Sequence, residues 1–309
     1  MTRRNLLTAT AIVLSLLALW IVPGFLKSYG VYLASLWCIY LIAGIGLNLT
    51  VGYAGLISIG HAAFFGIGAY AAAISGAAGV PFLGVLAIAA AVCFVLGLVL
   101  GFPALRVQHH YLAFATLGFN VLVFLVLRNE EWLTGGTFGM NNIARPVLFG
   151  WRINRPLDLF HLTLVALAVL ALVMAWLLRS PWGRAFAALR DNPIRAESVG
   201  IDTTFYTLLA FAIGATYAGL AGALFAPLVG FIEPGSFTVS TSLSMLLMVI
   251  VGGSGRFFGP ALGAVIVVLL PEWLRFMADY YLAVFGFLIV AMMIWLPGGL
   301  LSLPERLKR

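Results

Sequence analysis

The chain has 309 residues, of which 63% are apolar and only 9% are charged, whereas charged residues make up about a quarter of ordinary soluble domains. So few charges could not cover a soluble globule of this size, so the composition excludes a soluble enzyme and indicates a protein whose solvent is lipid. The net charge of +7 does not indicate nucleic-acid binding, because the basic residues are spread over short loops and form no patch with interleaved aromatic residues.

Eight apolar runs are long enough to cross a bilayer as helices, which takes about 20 residues. They predict transmembrane helices at 5–26, 31–51, 55–79, 82–102, 112–128, 159–178, 207–230 and 279–301. The first run follows two arginines, as the core of a signal peptide would, but it ends in Trp20 and Pro23 without a small-x-small cleavage site. We therefore interpret it as an uncleaved first span.

A further apolar stretch, 242–270, is longer than one span and is interrupted by the glycine-rich run 252–256. It predicts a re-entrant pair of half-helices that dip into the membrane and turn back. With the N-terminus in the cytoplasm, this arrangement puts 11 of the 17 Lys and Arg residues on the cytoplasmic side, in agreement with the positive-inside rule. The prediction is one all-α, polytopic integral membrane domain over 1–309, with both termini and 179–206 in the cytoplasm and 129–158 in the periplasm.

The first of three unusual stretches runs from Asn48 to Gly66 and contains glycines at 52, 55 and 60. Glycine weakens a helix, and a broken helix at membrane depth is tolerated only where it is buried in protein or lines a watery cavity. The stretch therefore predicts part of a translocation path. Its candidate residues are Asn48, Gly52, Gly55, Ser58, Gly60 and His61. The alternative is close packing by small residues around a hydrogen-bonded histidine.

The second stretch, 251–263, reads VGGSGRFFGPALG. It echoes the first, because Phe64-Phe65-Gly66 and Phe257-Phe258-Gly259 each open a predicted helix of small residues. Interrupted segments in the two halves of a chain are a sequence pointer to the internal repeats of transporters. The echo therefore predicts a possible internal repeat, although two short matches in an apolar chain equally allow coincidence.

The third stretch, 179–205, is the most polar segment that is predicted to face the cytoplasm. It predicts two short amphipathic helices, 185–190 and 194–199, separated by Asp191-Asn192-Pro193. A loop that only connects two spans could be a few residues long. The length, the helical pattern and the mixed charges of this loop favour a docking surface for a cytoplasmic partner, and the alternative is a solvated basic loop that serves topology alone.

Motifs of catalysis are not found in this sequence. The four histidines have no HExxH spacing, and there is neither a GxSxG elbow nor a GxxxxGK[ST] phosphate loop. Charges deep in the predicted spans are nearly absent, which argues against a proton-relay pump or an ion-coupled antiporter. We expect no catalytic residue, no metal site and no cofactor.

Taken in order, these stretches resemble the permeases of bacterial branched-chain amino-acid ABC importers, the LivM-like family, over nearly the whole chain. The most specific match is LNLTVGYAGLISIGHAAFFGIGAY at 47–70. Further matches are HYLA at 110–113, ATL at 115–117, LTGGT at 133–137, GRA at 183–185, ALRDN at 188–192, AESVGI at 196–201, AGLAGAL at 218–224, and GGSG at 252–255 with GP at 259–260.

The resemblance implies a permease subunit in the inner membrane, working by alternating access in an ATP-driven importer for branched-chain or other apolar amino acids. It implies as partners a LivH-like second permease, two cytoplasmic ATPase subunits that hydrolyse the ATP, a periplasmic substrate-binding protein and the lipid bilayer, and no nucleic acid. The chain itself is then no enzyme. The alternatives are a permease for urea, short amides or another small neutral solute, and a passive solute channel, which would not need a docking loop.

The resemblance also assigns a coupling role to the third stretch. In this family an Ala-rich, Glu-containing stretch with a following glycine fits a groove in the ATPase, and 196–200 resembles it but departs from the fuller Glu-Ala-Ala pattern. The residues assigned to coupling are Arg184, Arg190, Asp191, Asn192, Arg195, Glu197 and Gly200. Phe138 stands where the family often has a small or acidic residue, which argues against a direct substrate contact there.

Overall fold

Helices make up most of the described chain, as the sequence predicts. The structure is a computed structural model that describes residues 20–104, 109–148, 150–273, 280, 284, 286–287, 290, 294 and 298–302. The predicted first and last spans, 5–26 and 279–301, therefore lie mostly outside the described residues.

The α-helices follow one another with short connections. They are α1 (Ser28–Leu47), α2 (His61–Ala77), α3 (Phe82–Ala104), α4 (His109–Asn129), α5 (Glu131–Thr134), α6 (Pro156–Arg179), α7 (Pro181–Asp191), α8 (Pro193–Ser198), α9 (Thr203–Val229), α10 (Val239–Gly253) and α11 (Gly259–Trp273). A π-helical turn, Asn48–Tyr53, extends α1. The 3-10 turns are Val22–Phe25, Gly136–Phe138, Pro234–Phe237 and Leu300–Ser302, and a small antiparallel hairpin pairs β1 (Val147–Leu148) with β2 (Trp151–Arg152).

Five predicted spans are confirmed as helices that are long and apolar enough to cross a membrane: α1 with its π-helical turn, α3, α4, α6 and α9. The prediction for 55–79 is wrong in its extent, because the helix there is α2, with only 17 residues. Residues 54–60 are not helical. Gly55 has a φ of +74°, which a continuing right-handed helix cannot contain, and hydropathy does not register such a turn because its residues are as apolar as those of a helix.

The predicted break in the 242–270 stretch is confirmed. Helices α10 and α11 have 15 residues each, or about 22 Å at 1.5 Å per residue, which is short for a hydrocarbon core of about 30 Å. They lie antiparallel, because a Cβ on Gly252 would overlap the carbonyl of Gly259 and a Cβ on Gly263 would overlap that of Met248. Such backbone contact lets the two helices pair closely.

The echo between the two interrupted stretches does not extend to their helix boundaries. Phe257 and Phe258 precede α11, whereas Phe64 and Phe65 lie inside the first turns of α2. The two phenylalanine pairs thus do not open equivalent helices, and the internal repeat stays a prediction.

Helix α9 lies at the centre of the described bundle and packs against α1, α2 and α3. A Cβ on Gly68 of α2 would overlap the carbonyl of Gly219, and a Cβ on Gly222 would overlap the carbonyl of Phe65. Lipid tails are as apolar as leucine, so membrane helices associate through close packing more than through hydrophobic burial. The glycines of α9 therefore determine how closely α2 can approach it.

The loops divide between two ends of the bundle. At one end, Arg190 of α7 contacts Gly52, and Arg256 contacts Leu301. At the other end, Met140 and Ile232 pair through backbone hydrogen bonds. A single helix of 24 residues, α6, joins the predicted outer loop to the predicted docking loop and spans about 36 Å. The two loops therefore lie at opposite ends of the bundle.

Gly222→Ala should lower the melting temperature of the purified protein in detergent, because the added methyl group would overlap the Phe65 carbonyl and push α2 away from α9. Overpacking of a close-packed core costs about 1–3 kcal/mol, and thermal unfolding followed by circular dichroism measures it. Gly118→Ala is the matched control, since nothing lies within 4 Å of its Cβ position and alanine favours a helix over glycine. Equal melting temperatures for Gly222→Ala and the parent would contradict this packing.

Candidate coupling and translocation site

Asn48 joins the two interrupted stretches. Its side chain, only 2% exposed, accepts a hydrogen bond from the Gly255 amide through Oδ1 (2.8 Å) and donates one to the Arg256 carbonyl through Nδ2 (3.0 Å). A carboxamide carries one acceptor and one donor group side by side, which matches the exposed backbone of the α10–α11 connection. The end of α1 and the tip of the α10–α11 hairpin are therefore tied together.

Glycines make this junction possible. A Cβ on Gly52 would overlap both the Gly255 amide nitrogen and the Asn48 Oδ1 atom. Gly255 itself has a φ of +76°, a left-handed conformation that side chains with a Cβ rarely adopt. The residues predicted to break the two helices are thus the ones that let the two backbones touch.

Arg190, at the end of α7, reaches into the same junction. Its Nη1 donates a hydrogen bond to the Gly52 carbonyl, and a Cβ on Gly255 would overlap that nitrogen. A Cβ on Gly55 would lie 3.4 Å from the Cα and Cγ atoms of Arg190. Gly52 and Gly55 were predicted for the path and Arg190 for coupling to a partner, and the structure brings the three together.

Helix α7 is held firmly beneath this junction. Phe186 is fully buried, and its ring meets that of Tyr206 edge-on, with centroids 6.0 Å apart. Leu189 is also buried, and a Cβ on Gly183 would overlap the carbonyl of Leu178. The apolar face of α7 is thus packed onto the bundle, so a displacement of α7 would carry the side chain of Arg190 with it.

The start of α2 is capped by side chains from three other places. The Ile59 amide donates to Thr116 Oγ1 (3.0 Å), the Ala62 amide donates to Ser242 Oγ (2.8 Å), and the Gly60 amide lies 3.4 Å from Ser58 Oγ. The first amides of a helix lack partners within it. Hydroxyl groups on α4 and α10 supply them here, which satisfies the backbone where the chain resumes its helix.

His61 and Asn120 are fully buried and only partly satisfied. His61 Nδ1 lies 3.4 Å from Ser58 Oγ, but its Nε2 atom has no hydrogen-bond partner among the residues that the structure describes, and neither polar atom of the Asn120 carboxamide has one. A buried polar atom without a partner costs about 1–3 kcal/mol. Such atoms point to water, a solute or a second conformation that supplies partners.

Sequence reasoning missed Thr116 and Asn120. Both lie on α4, one helical turn apart, and Thr116 packs against Gly60. The signal was present in the sequence, because they are the polar residues of the apolar run 112–128. An intramembrane polar pair at a spacing of four residues indicates one helix face turned towards the protein interior.

The predicted path residues are buried in contacts with the chain itself. Ser58 is 1% exposed and His61 is 0% exposed, Gly52 and Gly60 are buried and Gly55 is half-buried. In this conformation the stretch is packed, so its role as the wall of a path stays a prediction.

The two short helices predicted in the docking loop are confirmed as α7 and α8, separated at Asn192. Asn192 Oδ1 accepts a hydrogen bond from the Arg195 amide (3.0 Å) and caps α8, while Ser180 Oγ accepts one from the Trp182 amide (3.2 Å) and caps α7. Side-chain caps of this kind stabilise short helices. The loop is therefore a structured unit with defined ends.

The remaining coupling candidates form an exposed surface, here called the docking face. Its charged members are Arg184, Asp191, Arg195 and Glu197, and Gly200, with a φ of +84°, follows α8. Apolar side chains lie exposed among them: Trp182, Ile194 and Val199. Exposed apolar groups rimmed by charges are typical of a protein–protein contact surface.

No group of three or more His, Cys, Asp or Glu side chains that could hold a metal ion occurs in the part of the chain that the structure describes.

Known proteins match this chain over most of its length. The family model described as "branched-chain amino acid transport system / permease component" matches residues 29–296. The high-affinity branched-chain amino acid transport system permease proteins LivM of Salmonella typhimurium and Escherichia coli are each 39% identical over 94% of this chain and 74% of the relative. The autoinducer 2 import system permease protein LsrC of Salmonella paratyphi B is 31% identical over 61% of this chain and 58% of its own length.

No solved structure shows a significant match to this chain. The extent of the family match and the identity to both LivM proteins decide the assignment. The chain belongs to the permease family of branched-chain amino acid transport systems.

Proposed function

We propose that this chain is the membrane-spanning permease of an ATP-driven importer whose solute is a branched-chain or other apolar amino acid. The observation that carries the proposal is the 39% identity to two LivM permeases over 94% of the chain. In the proposed assembly the chain pairs with a LivH-like second permease, two cytoplasmic ATPase subunits bind the docking face, and a periplasmic binding protein delivers the solute at the other end. ATP is hydrolysed on those separate subunits.

The chemistry of the buried polar groups supports an amino acid as the solute. An amino acid carries a carboxylate and an ammonium group, so its path needs polar or dipolar groups, whereas fixed charges would hold it too tightly for release. Interrupted helices and neutral polar side chains provide such groups in transporters, and His61, Thr116 and Asn120 are of this kind. The LsrC protein, named for a different solute, matches a smaller part of the chain at lower identity.

Deleting the gene for this chain in its host should abolish high-affinity uptake of leucine, isoleucine and valine, and the intact gene supplied in trans should restore it. Uptake of the radiolabelled amino acids at low concentration measures the effect, with urea and autoinducer 2 as comparison solutes. Loss of urea or autoinducer 2 uptake with normal leucine uptake would assign a different solute. Leucine uptake that persists after ATP depletion would indicate a passive channel.

The docking face is proposed to lie in the cytoplasm, with the loop 129–158 in the periplasm. The 11-to-6 division of basic residues between the two ends supports this orientation. Cysteines introduced at Ala187 and Asn142, both exposed, should label from opposite sides of the membrane. The native Cys38 and Cys93 are buried and do not obscure that labelling.

Glu197→Lys should reduce copurification of the ATPase subunits with the permease, together with uptake, while the chain still inserts in the membrane. Reversal of a charge within an interface places like charges together, and the helical docking face offers Glu197 fully to a partner. Asp158→Lys, an equally exposed acid at the opposite end of α6, is the control and should leave copurification unchanged. Normal copurification and substrate-stimulated ATP hydrolysis in Glu197→Lys would refute the docking role.

The path is proposed to open along the stretch 48–66 where it faces α4. The unpaired atoms of His61 and Asn120 support this, because an opened path would supply them with water or solute. Polar side chains within spans are costly and mark solute pathways in many transporters.

A cysteine at Ser58 should react with a small water-soluble thiol reagent in one state of the assembled transporter, either nucleotide-free or ATP-trapped, and stay protected in the other. Ser35→Cys is the matched control, since Ser35 is fully buried in α1 and bonded to Val31, away from the proposed path. It should be protected in both states. Protection of the cysteine at Ser58 in both states would mean that the stretch is packing alone.

A further inference from the structure

We infer that Arg190 is a positioning residue that links α7 to both interrupted stretches, so that a movement of α7 is transmitted to the ends of α1 and α10. The inference rests on the proposed function, in which α7 carries part of the docking face. The known family relationship assigns this loop to a partner, whereas the geometry turns Arg190 inwards, onto the backbone of its own chain.

The contact that carries the inference is the hydrogen bond from Arg190 Nη1 to the Gly52 carbonyl. Gly52 lies in the π-helical turn that ends the α1 segment, where the last carbonyls of a helix have no partner within it. The end of a helix also carries a partial negative charge that favours a cation. Arg190 thus meets a specific need of this helix end through both its hydrogen bond and its charge.

The same guanidinium lies against the tip of the α10–α11 hairpin, where only a glycine at position 255 leaves room for it. The aliphatic stem of Arg190 covers Gly55, where the chain leaves the π-helical turn. One side chain from the docking loop therefore contacts both interruptions. Because Asn48 already ties Gly255 and Arg256 to the end of α1, the two interruptions should move together when Arg190 moves.

This role differs from docking in what its loss would change. A residue that only contacts the ATPase would reduce assembly when replaced. A residue that only stabilises the fold would lower uptake and ATP hydrolysis in proportion to the amount of folded complex. A link between α7 and the spans would leave the complex assembled and hydrolysing ATP, but without stimulation by the loaded binding protein and without uptake.

The test compares Arg190→Gln, Arg190→Lys and the parent in the purified complex with its ATPase and binding-protein subunits, reconstituted in liposomes with leucine as the probe. For Arg190→Gln we expect normal copurification, basal ATP hydrolysis close to that of the parent, and uptake reduced about tenfold or more, the loss typical of a hydrogen bond from a charged donor. Arg190→Lys keeps the charge but not the planar fork of donors, and should restore uptake in part. Arg179→Gln makes the same change at an exposed arginine of α6 outside the junction and should behave as the parent.

Loss of copurification in Arg190→Gln would assign the residue to docking and overturn the inference. A proportional fall of uptake and ATP hydrolysis would reduce it to a structural role, and unchanged uptake would remove it altogether. If Arg190→Gln does not reach the membrane, the lysine variant decides: uncoupled ATP hydrolysis supports the link, and parental coupling overturns it. Absence of ATP-driven leucine uptake by the parent would instead refute the proposed function.

Discussion

Each backbone amide and carbonyl that a membrane helix leaves unpaired needs a partner inside the protein, because hydrocarbon offers none. Two interruptions, at 54–60 and 254–258, create such groups in this chain. The first lies next to the second, and Asn48 and Arg190 supply hydrogen bonds to the exposed backbone of both. The positions of α1, α7 and α10 follow from this one requirement, since all three have to end at the same point.

The interruptions themselves could be predicted, because glycine disfavours a helix wherever it stands. Their contact could not, since Asn48 and Gly255 are 207 residues apart and no local pattern records a long-range pair. The direction of Arg190 escaped prediction for the same reason: an arginine on a polar loop is usually solvated, and the glycines that admit it here belong to other segments. Asn120 was missed because one amide hardly changes the apolar character of its span.

The junction and the proposed path are continuous along the chain. Residues 54–60 connect the π-helical turn under Arg190 to His61, the first residue of α2, and Thr116 binds this connection to α4. A shift of the interruption would therefore act directly on the part of α2 and α4 that holds unpaired polar atoms. Those atoms disfavour the packed arrangement by the cost of their missing hydrogen bonds, so a modest displacement could be enough to admit water between the two helices.

The chemical nature of the link suits a contact that changes in every transport cycle. Removing one partner of a buried ion pair costs about 3–5 kcal/mol, because a charge is left buried without compensation. A hydrogen bond from a charged donor to a neutral acceptor contributes only about 1.5–3 kcal/mol, and the acceptor at this junction is the Gly52 carbonyl. Arg190 is also exposed along part of its length, so its charge can return to water when the contact opens. The arginine thus holds the two interruptions in place without fixing them there.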